Sequence, residues 1–263
     1  MSKTIVIGDI HNRIREVDSI LAKESFDKVI ILGDIFDDFD DTPTQAMDSA
    51  RWVKAHVHDE RFTFLWGNHD ITYGFLNRNI PCGGYSMEKD CAIWTILNQD
   101  DFRPWKFFHF SDGFLFTHAG LHPRFLPPIW KKKDVTQNNL TQFLSQESKR
   151  CLDELNNPNG QHWFFLAGDA RCLPKRGLGP GGILWCDARE EFEPIPDLAQ
   201  VFGHTYHPKY PTIIYGKDKG MRLTSEECFG FPIYHESTNI LLDCHMACYG
   251  ILEDGAITLK PVH

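Results

Sequence analysis

The chain has 263 residues, 42% of them hydrophobic and 24% charged, which suits one large α/β domain with a well-buried core; the expectation is a single domain over residues 1–263. The formal net charge of -9 argues against nucleic acid as the main partner, because gripping a phosphate backbone needs clustered Lys and Arg. No apolar stretch reaches membrane-spanning length and the amino terminus carries no secretion signal, so no membrane partner is expected and the expected compartment is the cytoplasm.

The first apolar run, Thr4 to Ile7, reads as a strand and ends in Gly8-Asp9-Ile10-His11. Helical spacing follows from Arg13 to Lys23, where Ile14, Val17, Ile20 and Leu21 share a face that should lie on a sheet. A second strand, Lys28 to Leu32, ends in Gly33-Asp34-Ile35-Phe36-Asp37 and precedes a helix expected from Thr44 to His56. A third, Phe62 to Trp66, ends in Gly67-Asn68-His69-Asp70. This βαβα rhythm marks an α/β fold. Further on, Leu115 to Thr117 leads into His118-Ala119-Gly120, and a polar helix is expected from Asp134 to Asn156 before the aromatic run His162 to Ala167. Short strand candidates complete the chain at Ile183 to Trp185, Ala199 to Phe202, Thr212 to Tyr215, Asn239 to Leu242 and Ala256 to Lys260; the second of these runs into Gly203-His204-Thr205. The eight cysteines include no CxxC pair and are expected as reduced thiols, and Cys244 and Cys248, four apart, lack the second pair a zinc site needs.

Asp9 and His11, two apart after a strand, point to one side if the extended geometry continues, as two ligands of one cation must. Asp34 ends the second strand at the same edge of a parallel sheet, where a carboxylate can bridge two cations with its two oxygens. Asp37, Asp38, Asp40 and Asp41 read as a solvated acidic turn and helix start, with Asp37 the one open to another role. Asn68 offers a neutral oxygen ligand. His69 can donate a proton to a leaving alkoxide if it is held as imidazolium, with Asp70 or another nearby carboxylate to orient it and raise its pKa. His118 and His204, each at a strand end, complete the carboxylates, imidazoles and amide that a two-metal hydrolytic site needs. His56, His58, His109, His122, His162, His235, His245 and His263 read as structural or surface residues, and His207 stays open.

The ordered series resembles the calcineurin-like metallophosphoesterase superfamily. Its His-Ala-Gly and Gly-His-Thr signatures, with Gly-Gly-Ile-Leu-Trp at 181–185 between them, are most similar to the branch of phosphoprotein phosphatases and diadenosine tetraphosphate hydrolases. The likeness runs from residue 5 to about 205, with a family-like ending at Asn239 to Asp243. It implies an αββα four-layer sandwich with a dinuclear metal centre at the carboxyl edge of the sheets. It also implies that Asp9, His11 and Asp34 hold the first metal, that Asp34, Asn68, His118 and His204 hold the second, and that His69 is proton donor rather than ligand. Two divalent cations about 3.5 to 4 Å apart make hydroxide available from a bridging water near neutral pH and clamp the phosphoryl oxygens for in-line attack. Mixed nitrogen and oxygen ligands suit Mn, Fe, Zn or Co, and two carboxylates leave such a site cationic enough to attract phosphate despite the net charge of -9.

Three departures from the branch stand out. Asp38 and Phe39 follow Asp37 where the branch carries a phosphate-binding Arg; Arg171, Lys175, Arg176 or Arg189 could replace it, and the Gly-rich loop 176–182 could offer backbone N–H groups to an anion, although the favoured reading is a solvated basic turn. Asn12 stands where the branch usually has Gly, and His207 falls one place late for a Gly-His-x-His ending and is not expected to ligate. Substrate choice is expected to sit in Tyr73 to Asp112 and Pro123 to Arg176, with Tyr73, Phe75, Tyr85, Trp94, Trp105, Phe107 and Phe108 either stacking a ring or, as the favoured reading, filling the core. The expected partner is a phosphorylated substrate, a small phosphomonoester or a phosphopeptide, with a dinucleoside polyphosphate or phosphodiester as the alternative. A non-catalytic metal-binding scaffold would be expected to have lost ligands or His69, and all seven positions are intact.

Overall fold

A computed structural model describes residues 2–75, 80, 82–172, 175–215, 222–235 and 238–263. The first third builds the expected rhythm: β1 (Thr4–Ile7), α1 (Ile14–Lys23), β2 (Lys28–Ile31), α2 (Pro43–His56) and β3 (Phe62–Phe64), with β1, β2 and β3 pairing in parallel. β1 is buried along its whole length because both its faces are covered: Ile5 and Ile7 join the core beneath the helices, while Val6 joins the core shared with the second sheet. In α1, Val17 and Ile20 are buried and Ile14 and Leu21 pack beside them, the four positions expected to share a face. Thr42 and Gln45 cap α2 reciprocally and Pro43 opens it, so the acidic turn before it ends in a firm helix start.

Three short helices follow, α3 (Asn68–Gly74), α4 (Met87–Trp94) and α5 (Gln99–Phe102), then the hairpin β4 (Phe108–Ser111) and β5 (Phe114–Thr117). The expected polar helix is α6 (Gln137–Leu155), capped by Thr136, and the remaining strands are β6 (Ala199–Phe202), β7 (Thr212–Tyr215), β8 (Arg222–Leu223), β9 (Pro232–Tyr234), β10 (Thr238–Leu241), β11 (Cys248–Glu253) and β12 (Ala256–Pro261). They form two six-stranded sheets, ordered β3-β2-β1-β11-β12-β9 and β4-β5-β6-β10-β7-β8. Val6, Ile30 and Leu252 of the first meet Phe116, Val201 and Ile240 of the second in one buried cluster. Helices α1 and α2 cover the first sheet, and α6 packs beside β4, its Leu140, Leu144 and Leu155 sharing a core with Leu115. This is the expected four-layer αββα order.

One expected strand is absent. Ile183 to Trp185 is a turn, its backbone groups paired singly: Ala119 N–H to the Ile183 carbonyl at 2.8 Å, Leu184 N–H to Phe164 at 3.1 Å and Trp185 N–H to Gly182 at 2.9 Å. The aromatic run from His162 makes a single 3-10 turn over Trp163–Phe165, with His162 as its cap. All eight cysteines are free thiols, six of them buried, and Sγ of Cys244 lies 2.8 Å from that of Cys248. Among the described residues no helix is long and apolar enough to cross a membrane.

Candidate metal centre

Each sheet contains three parallel strands, and all six carboxyl ends meet at one place. β1 delivers Asp9 and His11, β2 Asp34, and β3 Asn68 and His69; from the second sheet come His118 after β5, His204 after β6 and Asp243 after β10. Ligands gather at such strand ends because the chain must turn there and backbone groups are freed from the ladder. The turns are sharp: His11, Asp34 and His204 have φ of 43°, 51° and 69°, a left-handed conformation that costs a non-glycine residue roughly 1 to 3 kcal/mol. Asn12, at φ 59°, explains one departure, since asparagine tolerates this conformation and its amide is held by Asp41 at 2.7 Å and Ser49 at 2.6 Å. The motif glycines answer to close approach: a Cβ on Gly67 would run into the Asp34 carboxylate, and one on Gly203 into that of Asp9.

Two groups of three side chains share Asp34. Asp9, His11 and Asp34 come from the first sheet, and Asp34, His118 and His204 span both; within each group the donor atoms lie within 4.8 Å of one another. Asn68 sits at the second group, its Oδ1 2.8 Å from Nε2 of His118 and 2.8 Å from Nδ1 of His204. His118 donates Nδ1–H to the Leu32 carbonyl at 2.9 Å, and His11 turns Nδ1 to the Asp37 carbonyl at 2.5 Å. A neutral imidazole has one N–H, so this leaves the Nε2 lone pairs of both rings facing Asp34, at 3.4 Å from His118 and 3.9 Å from His11. Lone pairs aimed at carboxylate and amide oxygens from several sides are the geometry of a cation site.

The electrostatics agree. Asp9, Asp34 and Asp243 converge in the buried interior, and Oδ1 of Asp9 and Oδ1 of Asp243 have no hydrogen-bond partner. Burial, then Asp243 and Asp34, drives the Asp9 carboxyl well up, and burial with Asp34 carries Asp243 to about 6 against the opposing pull of His11. Burial also acts to raise Asp34, but without a cation the charge of protonated His118, His69 and His11 outweighs it and holds it low. His204 is held well down by burial and by His118. Clustered carboxylates beside imidazoles with free lone pairs fit divalent cations, whose charge offsets the cost of burying the acids.

Residues 2–208 match the family model of the calcineurin-like phosphoesterases. The chain belongs to the calcineurin-like phosphoesterase family. It is a metal-dependent phosphoester hydrolase. Among solved structures, a metallophosphoesterase from Sphaerobacter thermophilus is 15% identical with a TM-score of 0.48, over 99% of this chain and 88% of that one. A protein serine/threonine phosphatase from Saccharomyces cerevisiae, with similarity to human phosphatase PP5, is 12% identical with a TM-score of 0.47, over 98% and 79%. Yfce, a phosphoesterase from E. coli, is 11% identical with a TM-score of 0.37, over 99% and 100%. No curated protein matches the sequence.

In this phosphoesterase the partner of His69 is not Asp70. The Asp70 carboxylate accepts the backbone N–H groups of Ile35 at 2.8 Å and Gly67 at 3.0 Å, tying the second motif to the third, and burial followed by Asp34 raises it to about 7. Asp37 takes the place instead: its Oδ1 pairs with Nδ1 of His69 and its Oδ2 accepts from the Tyr73 hydroxyl. Burial alone would lower His69, yet Asp34 and Asp37 raise it well above its ordinary value. Asp37 is fully buried, unlike Asp38, Asp40 and Asp41, which form the expected solvated turn. Its one sequence signal is the repeated Asp-x-x-Asp spacing from Asp34.

A cavity of about 390 Å³ opens over the centre, with His11, Asp34, Asn68, His69 and His204 in its floor. Of the basic residues offered for phosphate, Arg171 lines it, its guanidinium 3.0 Å from Asp187, whereas Arg176 and Arg189 are exposed and outside it, as is Lys175, which pairs with Glu190. Nor does the Gly-rich loop offer its N–H groups. Those of Arg176, Leu178 and Gly179 go to the Asp169 carboxylate at 3.0 to 3.1 Å, and that of Gly181 goes to Glu191 at 3.0 Å. His207 faces away, accepting the Tyr210 N–H at 3.1 Å. Tyr73, Phe75, Trp105 and Phe107 are core, as favoured; the aromatic side chains at the cavity are Phe39, Trp185, Tyr206 and His245.

Proposed function

We propose that the chain hydrolyses phosphomonoesters at a centre of two divalent cations, with His69 protonating the leaving alkoxide. The observation that carries this reading is the sharing of Asp34 by two ligand groups beneath a cavity that His69 also lines. Asp9, His11 and Asp34 would hold one cation; Asp34, Asn68, His118 and His204 would hold the other. When bound, the cations acidify water to a nucleophile available near neutral pH and polarise the phosphoryl oxygens, and Mn, Fe, Zn and Co all suit these donors.

The protein's own groups do the rest. Arg171 carries a planar guanidinium suited to two phosphoryl oxygens, and Asp187 fixes its direction. Asp34 accepts the His69 backbone N–H at 2.9 Å, so the same carboxylate that organises the ligands also positions the acid. Asp37 holds Nδ1 of His69, which aims Nε2 at the ester oxygen. As the oxygen of water bonds to phosphorus and the bond from phosphorus to the ester oxygen breaks, that oxygen takes the electron pair and His69 gives it a proton, releasing the alcohol and phosphate.

The test is turnover of para-nitrophenyl phosphate beside its bis-ester, after metal removal and reloading with Mn. Metal-dependent monoester cleavage that Asp34→Asn abolishes is expected, with His69→Ala costing less on this ester, whose phenolate needs little protonation, than on an alkyl phosphate. Preference for the bis-ester would replace this reading with a diesterase, and no cleavage of either with two metals bound would overturn it.

A further inference from the structure

We propose that the cavity selects esters whose leaving group carries a flat aromatic ring, held on a rim made by Phe39 and Tyr206. This rests on the phosphomonoesterase reading above and names the substrate class for it. The cavity is mixed in chemistry: Asp34, Asn68 and the imidazoles of His69 and His204 line it together with the exposed rings of Phe39 and Tyr206, beside Asp38 and Arg171. Phosphoryl groups need only the polar side chains.

Phe39 is 75% exposed although it is among the largest apolar side chains of the protein, and its ring rests on Gly83, where a Cβ would run into it. Its backbone N–H donates to Asp38 Oδ1 at 2.8 Å, which fixes the loop that presents it. Tyr206 is 39% exposed and stacks on His245, ring centroids 3.8 Å apart at 25°. His245 in turn is held by Arg13 at 3.3 Å, so the Tyr206 ring is backed rather than loose. Trp66, Tyr73, Phe116 and Phe202 are fully buried in the core, whereas Trp94, Phe231 and Tyr234 are exposed but do not line this cavity. Phe39 and Tyr206 are thus exposed where they line the cavity that also contains the candidate metal ligands. Exposed apolar surface next to convergent polar groups marks a ligand site, and ring faces favour another flat π system, by stacking or edge contact, over an alkyl chain of equal area. The phosphate at the floor and the ring at the rim would then be one ester, with its bridging oxygen at His69.

The experiment compares kcat/KM for phenyl phosphate and ethyl phosphate in the Mn-reloaded full chain, in wild type, Phe39→Ala, Tyr206→Ala and Phe39→Leu. Using the phenyl-to-ethyl ratio of each variant against that of wild type cancels the greater intrinsic reactivity of the aryl ester. The ratio is expected to fall about 3- to 10-fold in each alanine variant, through KM, and in Phe39→Leu as well, because the leucine keeps apolar bulk without a ring. A ratio within twofold of wild type in all three overturns the inference while the phosphomonoesterase reading stands; wild type cleaving neither ester overturns both. The same variants on phosphotyrosine and on adenosine 5′-monophosphate distinguish an aryl leaving group from a base held one ribose away. A fall on either supports the aromatic rim, and a fall on neither overturns it.

Discussion

His69 and Asp37 are paired through Nδ1 and Oδ1 in a buried contact, and the other oxygen of Asp37 is taken by the Tyr73 hydroxyl. The three side chains come from a loop and from α3, so the direction of the imidazole is set by two separate pieces of chain. Asp37→Asn should lower kcat about 10- to 100-fold on an alkyl phosphate with little change in KM. The loss should be smaller on para-nitrophenyl phosphate, whose leaving phenolate needs little protonation. Tyr73→Phe should cost about 3- to 10-fold, the worth of one hydrogen bond. Steady-state kinetics on the two esters check both, and equal losses on the two would count against His69 as the proton donor.

Convergence of Asp9, Asp34 and Asp243 makes the metal-free chain self-repelling, since all three are buried. Chelation should therefore lower the midpoint of thermal unfolding, and Mn at 100 times its Kd should restore about 2.7 kcal/mol for each site filled. Asp9→Asn should reverse the order: more stable than wild type without metal, less stable with it. Differential scanning fluorimetry with and without chelator reads this directly.

Gly203 leaves no room beside Asp9 for a side chain. Gly203→Ala should displace the carboxylate, costing about 1 to 3 kcal/mol of stability and more than half the bound metal. Elemental analysis of the purified variant, with its unfolding curve, tests the pair of outcomes; full metal content would show that the carboxylate can yield.

Glu24 ties the end of α1 to the first sheet through Lys3 at 2.7 Å, Lys260 at 2.6 Å and the Tyr249 hydroxyl at 2.8 Å. Burial acts to raise its carboxyl, but these three partners bring it to about 2 from an ordinary 4.5. A depressed folded value means stability that is present above about pH 4.5 and lost as pH falls toward 2. Allowing for solvent screening, Glu24→Gln should cost about 1 to 2 kcal/mol at pH 7. The gap between variant and wild type should narrow by pH 3.5, as denaturant titrations at the two pH values would show.

The candidate ligand positions are legible because each follows a strand whose apolar run is local: Asp9, Asp34, Asn68, His118 and His204 all stand just past buried segments that periodicity alone picks out. What carried no local signal was pairing across distance. Asp37 and Asp70 are both buried acids near His69, and only the fold decides that Asp70 is occupied by Gly67 and Ile35. β11 was missed because all but its last residue is buried, leaving no alternation to read, and because Gly250 weakens its strand character; it nonetheless lies directly between β1 and β12. Ile183 to Trp185 misled for the opposite reason: three apolar residues look like a strand, but a turn against Phe164 and Ala119 already buries the first two and half-buries Trp185. His245 and Asp243 reach the site from the far end of the sequence, where β10 joins the second sheet.

Because Asp34 belongs to one sheet and His118 and His204 to the other, the second ligand group straddles the layer between them. The thickness of that layer is set by side chains such as Val6, Phe116, Ile240 and Leu252, none of which reaches the cavity. The sandwich thus forms a calliper: trimming a methyl group from its jaws would move one half of the candidate ligand group relative to the other, so interior packing would reach the proposed chemistry from a distance.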